Sequence, residues 1–590
     1  MKKEAFVLQK KFCPLLCGGL SIISLVSLAI RAQEMAEKVT VLPDGAVWAL
    51  GAAALWMLYR AWLSLKNPFF PKRLWLLSAL FAGMMTLGQS FSALGTAEWV
   101  TGHKLEALLF FAGRVPLYTA CMRLLTDVLQ RAKADADVKR WTGWKLGALL
   151  WLCWLPWYVC LFPGTVSVDS ISMLMITYGL EPLSNANPIC QTALLWLFRK
   201  IAAWAGHPDV GIALYCVLQS VLMAWLLGAL VCEMLRDHAP APLAWGSFAF
   251  YALCPVFPVF AFCVGKDTNF AMAVLFLALE TWRIVHHPQA KPVRLVCTSL
   301  AAVGCVLLRN PGIYLAALTL ALLLLWTLGK QRRAEKRWRV PLCGLLSAVL
   351  VFVLLHTAVL PSFDIAPMPE TEEYSSPLQQ VARVAAGEAL TPEQQQAVDG
   401  VLELDKLHAA YNGELSDPVK DLWRRDCTPE QKAAFWKAWP QIVMDNPMTC
   451  VSATFHNVYG YLYPGYVSTI KPTLIVGDHT GRTASVRGYF DFTVNPLSAN
   501  VKAFTEQLNE NALYRLLVSP GLYGWITVFA AAWLMTRRGR RELLSAVPAL
   551  FTLAGCMLSA VNGYFRYAMP LYVSAPLMIW LVAQSLRRGE

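Results

Sequence analysis

Runs of about twenty apolar residues recur along this 590-residue chain, about the length a helix needs to cross the hydrocarbon of a bilayer. About fourteen such segments stand out, near 12–32, 45–65, 73–95, 105–128, 146–163, 209–235, 243–263, 269–285, 294–308, 311–329, 340–360, 518–535, 542–561 and 567–585. Backbone inside lipid must satisfy its own hydrogen bonds, so these segments are expected to be helices. Composition agrees: 57% of residues are hydrophobic and 15% charged, against about a quarter charged in a soluble domain. The expected class is an all-α polytopic membrane protein.

A net charge of +13 would suit a nucleic-acid partner, but its distribution excludes one. The basic residues gather in short loops such as "LKNPFFPKR" (65–73), "RAKADADVKR" (131–140), "HHPQAKPVR" (286–294), "KQRRAEKRWR" (330–339) and "RRGRR" (537–541), with no interleaved aromatic face. Loops of this kind stay cytoplasmic. Threading the spans between them works if 188–206, with Arg199 and Lys200 at its middle, lies along the outer interface as an amphipathic helix. Both termini are then cytoplasmic in a multi-pass cell-membrane protein, and the loop 361–517 is extracellular. That loop holds 19 of the 38 acidic residues against 12 basic ones, the opposite balance to the cytoplasmic loops.

Four regions follow: an N-terminal four-helix extension (1–144), a membrane core (145–360) with interfacial helices at 170–206, a mostly helical extracytoplasmic domain (361–517) and three closing spans (518–590). Thr-Pro-Glu starts at 391–393 and 428–430, with a related "SDPVKDLW" at 416–423, predict helices in the domain. The stretch 470–494, with Gly and Asp turns among β-formers, predicts a hairpin. The first thirty residues read as an uncleaved span rather than a secretion signal. Most of the sixteen cysteines sit in apolar runs and show no metal-binding spacing. Cys427 and Cys450 are placed to pair if the loop is outside the cell.

The unusual polar residues converge on the outer side of this topology. "PGTVSVDSIS" puts Asp169 after the fifth span, and "VGKDTNF" puts Lys266 and Asp267 between the seventh and eighth. "LLRNPGIY" contributes Arg309 and Asn310, and "VNGYFRYAMPLY" contributes Asn562, Arg566 and Tyr567. Each alone has a plain alternative: Asp169 and Asp267 as helix caps, the cations and Tyr567 as interfacial anchors. Together, ionisable groups at membrane depth are costly and point to function. Carboxylates beside cations at a lipid surface suit transfer of a sugar from a polyprenyl-phosphate carrier. The cations would hold the phosphate, and a carboxylate would take the acceptor's proton. Asp169 and Asp267 also offer oxygen ligands to a divalent cation, Mg or Mn.

These motifs, with "SSPLQQVAR" (375–383), resemble the GT-C class of integral-membrane glycosyltransferases. They are similar, more closely and over roughly 145–585, to an uncharacterised multi-pass family of Gram-positive bacteria catalogued as a domain of unknown function. The resemblance implies a GT-C-like core starting at the fifth span, with Asp169 as general base and Asp267 as the second acidic residue. It implies Lys266, Arg309, Asn310, Arg566, Tyr567, Asn187, Gln380 and Arg383 as substrate-binding residues. The partners implied are a polyprenyl-phosphate-linked sugar, a cell-envelope acceptor and membrane lipid. At 185–188 the chain reads "NANP" where the resembled family often carries "HHP". Two other classes fit the span count: a transporter or flippase of a lipid-linked substrate, and a non-catalytic cell-envelope scaffold.

Overall fold

The computed structural model describes residues 2–30, 45–69, 71–134, 140–287, 291–387, 389–467, 493, 495–535 and 540–587. Helices make up most of it, and the one sheet among the described residues has two short parallel strands. Seven helices are long and apolar enough to cross a membrane, or eight if the bent pair Ala512–Val518 and Pro520–Leu534 forms one span. Pro14–Ala29, Pro292–Leu308 and Gly312–Thr327 are shorter apolar helices. Seven or eight such helices are fewer than the fourteen or so spans expected from hydropathy.

One marked segment is not a single helix. In 243–263 the chain forms Ala241–Leu253, a break, the short helix Val256–Ala261 and then the strand Cys263–Val264. The break falls at Cys254, whose backbone is extended because Pro255 follows it. The predicted hairpin at 470–494 lies, apart from Thr493, outside the described residues.

Burial orders the helices around a centre. In Phe565–Arg587 and Lys266–His286, 89% and 78% of the apolar window is buried, against 11% in Arg339–Ser362. That outer helix turns Leu346, Leu350 and Leu354 outward, which suits apolar surroundings. The two central helices pack on each other and on Arg540–Cys556. At the far end from the polar turns, Trp282 meets Trp580 at 4.5 Å. There the fully buried Glu280 lies 2.6 Å from Arg283 and 2.9 Å from Arg294, and Arg283 also pairs with Glu233 at 2.6 Å. Burying these charges is tolerable because each has an opposite partner.

Helix Ile189–Ala205 carries Arg199 and Lys200 and buries Gln191, Thr192, Leu195 and Phe198 while Trp196, Leu197 and Trp204 face out. Residues 375–458 fold as a separate helical unit with its own core, including Leu378, Val381, Phe435, Ile442 and Cys450. Thr391 and Thr428 each close a capping box, with Gln394 and Gln431, at the starts of Pro392–Asp399 and Pro429–Asp445. The third expected start yields only the single turn Asp417–Lys420. The Ser416 hydroxyl does not cap it; it donates to the Ala560 carbonyl at 3.1 Å instead. Cys427 and Cys450 are both free thiols.

Helices Gly143–Leu161 and Pro208–Arg236 cross at glycines. A Cβ on Gly228 would lie 2.8 Å from the Gly143 carbonyl oxygen, and one on Gly147 would lie 2.8 Å from Trp225 Cα. Neither obstacle is a flexible side-chain tip. We expect Gly228→Val to lower stability by about 1–3 kcal/mol or more, seen as a reduced thermal midpoint of the purified chain in detergent.

Candidate functional site

Two strand-to-helix turns lie side by side. Strand β1 (Thr165–Val166) pairs in parallel with β2 (Cys263–Val264), Thr165 opposite Cys263 and Val166 opposite Val264. Each strand runs into a helix, Val168–Thr177 and Lys266–His286, and Asp169 and Asp267 are the second residues of those helices. The pairing thus puts two carboxylates at equivalent places on adjacent helix starts, where partial positive charge favours them. Ser167 and Ser170 lock the turn. The Ser167 side chain accepts from the Ser170 amide, and the Ser170 hydroxyl reaches back to the Val264 carbonyl at 2.6 Å.

Three cations close around the carboxylates. Lys266 Nζ lies 3.0 Å from Asp169 Oδ2. Arg566, second residue of Phe565–Arg587, spans both acids, with Nη2 3.4 Å from Asp169 and Nη1 3.6 Å from Asp267. Arg309, just past Pro292–Leu308, lies 3.8 Å from the other oxygen of Asp267. Aromatic faces back the guanidinium groups: Tyr564 lies 4.7 Å from Arg566, and Tyr567 lies 4.9 Å from Arg309. Asn187 accepts a hydrogen bond from Lys266. Asn310 donates to the Asn185 carbonyl at 3.0 Å.

The two acids are not alike in access. The Asp169 side chain is 27% exposed and that of Asp267 is 6% exposed. Burial pushes the Asp169 carboxyl up, but the charges of Lys266 and Arg566 outweigh it and hold the group at about 2. Three cations face two carboxylates, so the cluster has one positive charge to spare. Two of its buried atoms, Asp267 Oδ1 and Arg566 Nε, have no hydrogen-bond partner.

A divalent cation does not fit between Asp169 and Asp267. The Arg566 guanidinium bridges them there, and no group of three or more metal-ligating side chains occurs among the described residues. Gln380 and Arg383 also fall elsewhere. Gln380 bonds Thr454 and Trp439 inside the separate helical unit. Arg383 donates to the Tyr411 hydroxyl at 3.2 Å, to His456 Nδ1 at 3.4 Å and to the Gly95 carbonyl at 3.0 Å. Burial and Arg383 hold His456 down at about 4, so its ring is a neutral acceptor. Arg383 thus joins the unit to the turn after Arg73–Leu94.

Sequence reasoning missed a polar knot beside the cluster. Asn269 donates to the Tyr215 hydroxyl at 2.7 Å and to Gln191 at 3.2 Å, and Gln191 also donates to Tyr215 at 2.7 Å. Asn269 was visible two residues after Asp267, but Gln191 and Tyr215 sit in apolar segments that signal only packing. Tyr564, two residues before Arg566, is an aromatic in an aromatic-rich motif and carries no signal of its own.

The pairing of Asp169 has a measurable consequence. Its folded-state pKa is below the ordinary 3.8, so its ionisation stabilises the fold above that value and the benefit is lost as pH falls toward 2. Lys266→Met removes one cation and moves the folded-state pKa back up. We expect the thermal midpoint to fall less in this variant than in the parent between about pH 4 and 2.

No curated protein and no solved structure matches the chain. A protein family matches residues 177–590, which include Lys266, Asp267, Arg309 and Arg566 but not Asp169. Over more than half its length, and through most of the charged cluster, the chain belongs to the family described as a family of unknown function, DUF6020.

Proposed function

We propose that the chain is a GT-C-type membrane glycosyltransferase. It moves a sugar from a polyprenyl-phosphate donor to a cell-envelope acceptor outside the membrane. The observation that carries this reading is the single cluster of Asp169, Asp267, Lys266, Arg309 and Arg566, with cations in excess. In this reading the helices of the hydropathy pattern cross the bilayer, both termini are cytoplasmic, and the cluster opens at the outer lipid surface beside the 375–458 unit.

A lipid-linked phosphate brings negative charge to the interface and takes up the spare cation and the free Arg566 Nε. It competes with Asp169 for Lys266 and Arg566. As those cations turn to phosphate, the Asp169 carboxyl loses what holds its basicity down. Donor binding therefore readies the base. The acceptor O–H then gives its proton to Asp169 while its oxygen bonds to the anomeric carbon. The bond from that carbon to the phosphate oxygen breaks, and its electron pair leaves with the polyprenyl phosphate, stabilised by the arginines. Asp267, nearly sealed off, keeps Arg566 and Arg309 in place.

The bent pair Ala512–Val518 and Pro520–Leu534, turned by 57°, is the feature that favours a transporter, since such proteins bind at broken helices. None of the cluster's charged residues lies on that pair.

Asp169→Asn keeps the shape of the side chain and removes the base. We expect the variant to reach the membrane in normal amount, to lose transfer by about a hundredfold or more, and to leave polyprenyl-phosphate sugar accumulated in lipid extracts. Full transfer by the variant would end the assignment of Asp169. Carrier held on the inner leaflet alone would favour the transporter.

A further inference from the structure

The loop that delivers Arg566 to the cluster is held by the separate helical unit. Residues 559–564 run directly into Phe565–Arg587, and two stretches grip them, 414–416 within the unit and 457–461 at and just past its end. On one side, Leu415 bridges Val561 in antiparallel fashion. The Ser416 amide donates to the Ala560 carbonyl, and the Asn562 amide donates to the Glu414 carbonyl, both at 2.8 Å. On the other side, Asn457 donates to the Ser559 carbonyl at 2.6 Å, and the Gly460 amide donates to Asn562 Oδ1 at 2.7 Å.

Tyr461 stands at the middle of this grip. Its fully buried hydroxyl donates to the Val561 carbonyl at 2.9 Å. It accepts from the Tyr564 amide at 3.1 Å and lies 3.2 Å from the Ser559 hydroxyl, whose single proton it shares with the Val561 carbonyl at 2.8 Å. One phenol oxygen thus fixes three points of a six-residue loop, and Tyr564 is both the last of them and the ring beside the Arg566 guanidinium. Glu414 braces the same spot: it accepts from the Tyr459 hydroxyl at 2.8 Å and from Asn562 Nδ2 at 3.4 Å. Gly563 takes a left-handed turn, φ 50°, and a Cβ there would lie 2.4 Å from Tyr466 Cε1.

We infer that Tyr461 is a positioning residue for Arg566, and that the 375–458 unit, together with the Tyr459–Tyr461 turn that follows it, sets the geometry of the charged cluster. The ion pairs of Arg566 are long, at 3.4 and 3.6 Å, so side-chain contacts alone hold the guanidinium loosely. Its place between two carboxylates depends on where the backbone at 564–566 is put. Hydrogen bonds across the seam put it there. The role in anion binding rests on the phosphate reading above; the structural coupling does not.

The test uses the full chain in nanodiscs, with Tyr461→Phe in the parent and in an Arg566→Ala background. Hydrogen exchange is read at 559–567 and at the two helix starts, 165–172 and 263–268. Binding of undecaprenyl phosphate is titrated in parallel. Tyr461→Phe is expected to speed exchange at 559–567 and, only where Arg566 is present, at the two helix starts. It is expected to weaken the probe about fivefold or more in the parent and less than about twofold in the Arg566→Ala background. Equal losses in both backgrounds, or faster exchange confined to 559–567, would overturn the inference. Should the parent not bind the probe, the phosphate reading falls, and exchange at the helix starts alone decides the coupling. Asn457→Ala, which removes one bond to the same loop, gives the same pattern at smaller size if Tyr461→Phe does not fold.

Discussion

One guanidinium between two carboxylates organises the centre of this protein. Arg566 approaches Asp169 and Asp267 together, and the acids are neighbours only because two-residue strands set two helix starts in parallel register. Moving one charge from water into a protein interior costs several kcal/mol, and two like charges side by side cost more. Lys266 and Arg309 each neutralise one acid, but only the arginine bridges the two turns. With it, the start of the last helix is tied to the starts of two others, among them Lys266–His286, its fellow central helix.

The arrangement carries unequal burdens at matching positions. Asp267 is closed in by Arg309 and Arg566, with one oxygen lacking a hydrogen bond, while Asp169 keeps contact with the surroundings. Sequence alone presents both as an acid opening a helix. The difference arises from what packs above them, and it gives the accessible carboxylate the exchangeable role and the sealed one the fixed role.

Much of this was legible in the sequence. Hydropathy located the apolar helices because length and composition report directly on burial in lipid. The motifs around Asp169, Lys266, Asp267, Arg309 and Arg566 stood out because charge inside apolar sequence is costly, and the structure brings those five together. The rest depended on tertiary contact. Two-residue strands leave no periodic trace, and the break at Cys254 needed the pyrrolidine of Pro255 to be weighed against a long apolar run. Gln380 and Arg383 looked like site residues only through the resemblance carried by "SSPLQQVAR". Their partners, Trp439, Tyr411, His456 and Gly95, are distant in sequence and turn them into joinery. Ser416 misled similarly, its hydroxyl being used across a seam that no local rule describes.

The Lys266–His286 helix bears charge at both extremities, Lys266 and Asp267 at one and Glu280 and Arg283 at the other. A rod riveted at each end can neither screw nor slide along its axis without tearing buried ionic contacts. It therefore transmits displacement as a stiff lever rather than absorbing it. A push on the Glu233–Arg283–Glu280–Arg294 rivet would be felt sixteen residues away, at the mouth that holds Asp267, about 24 Å along the helix.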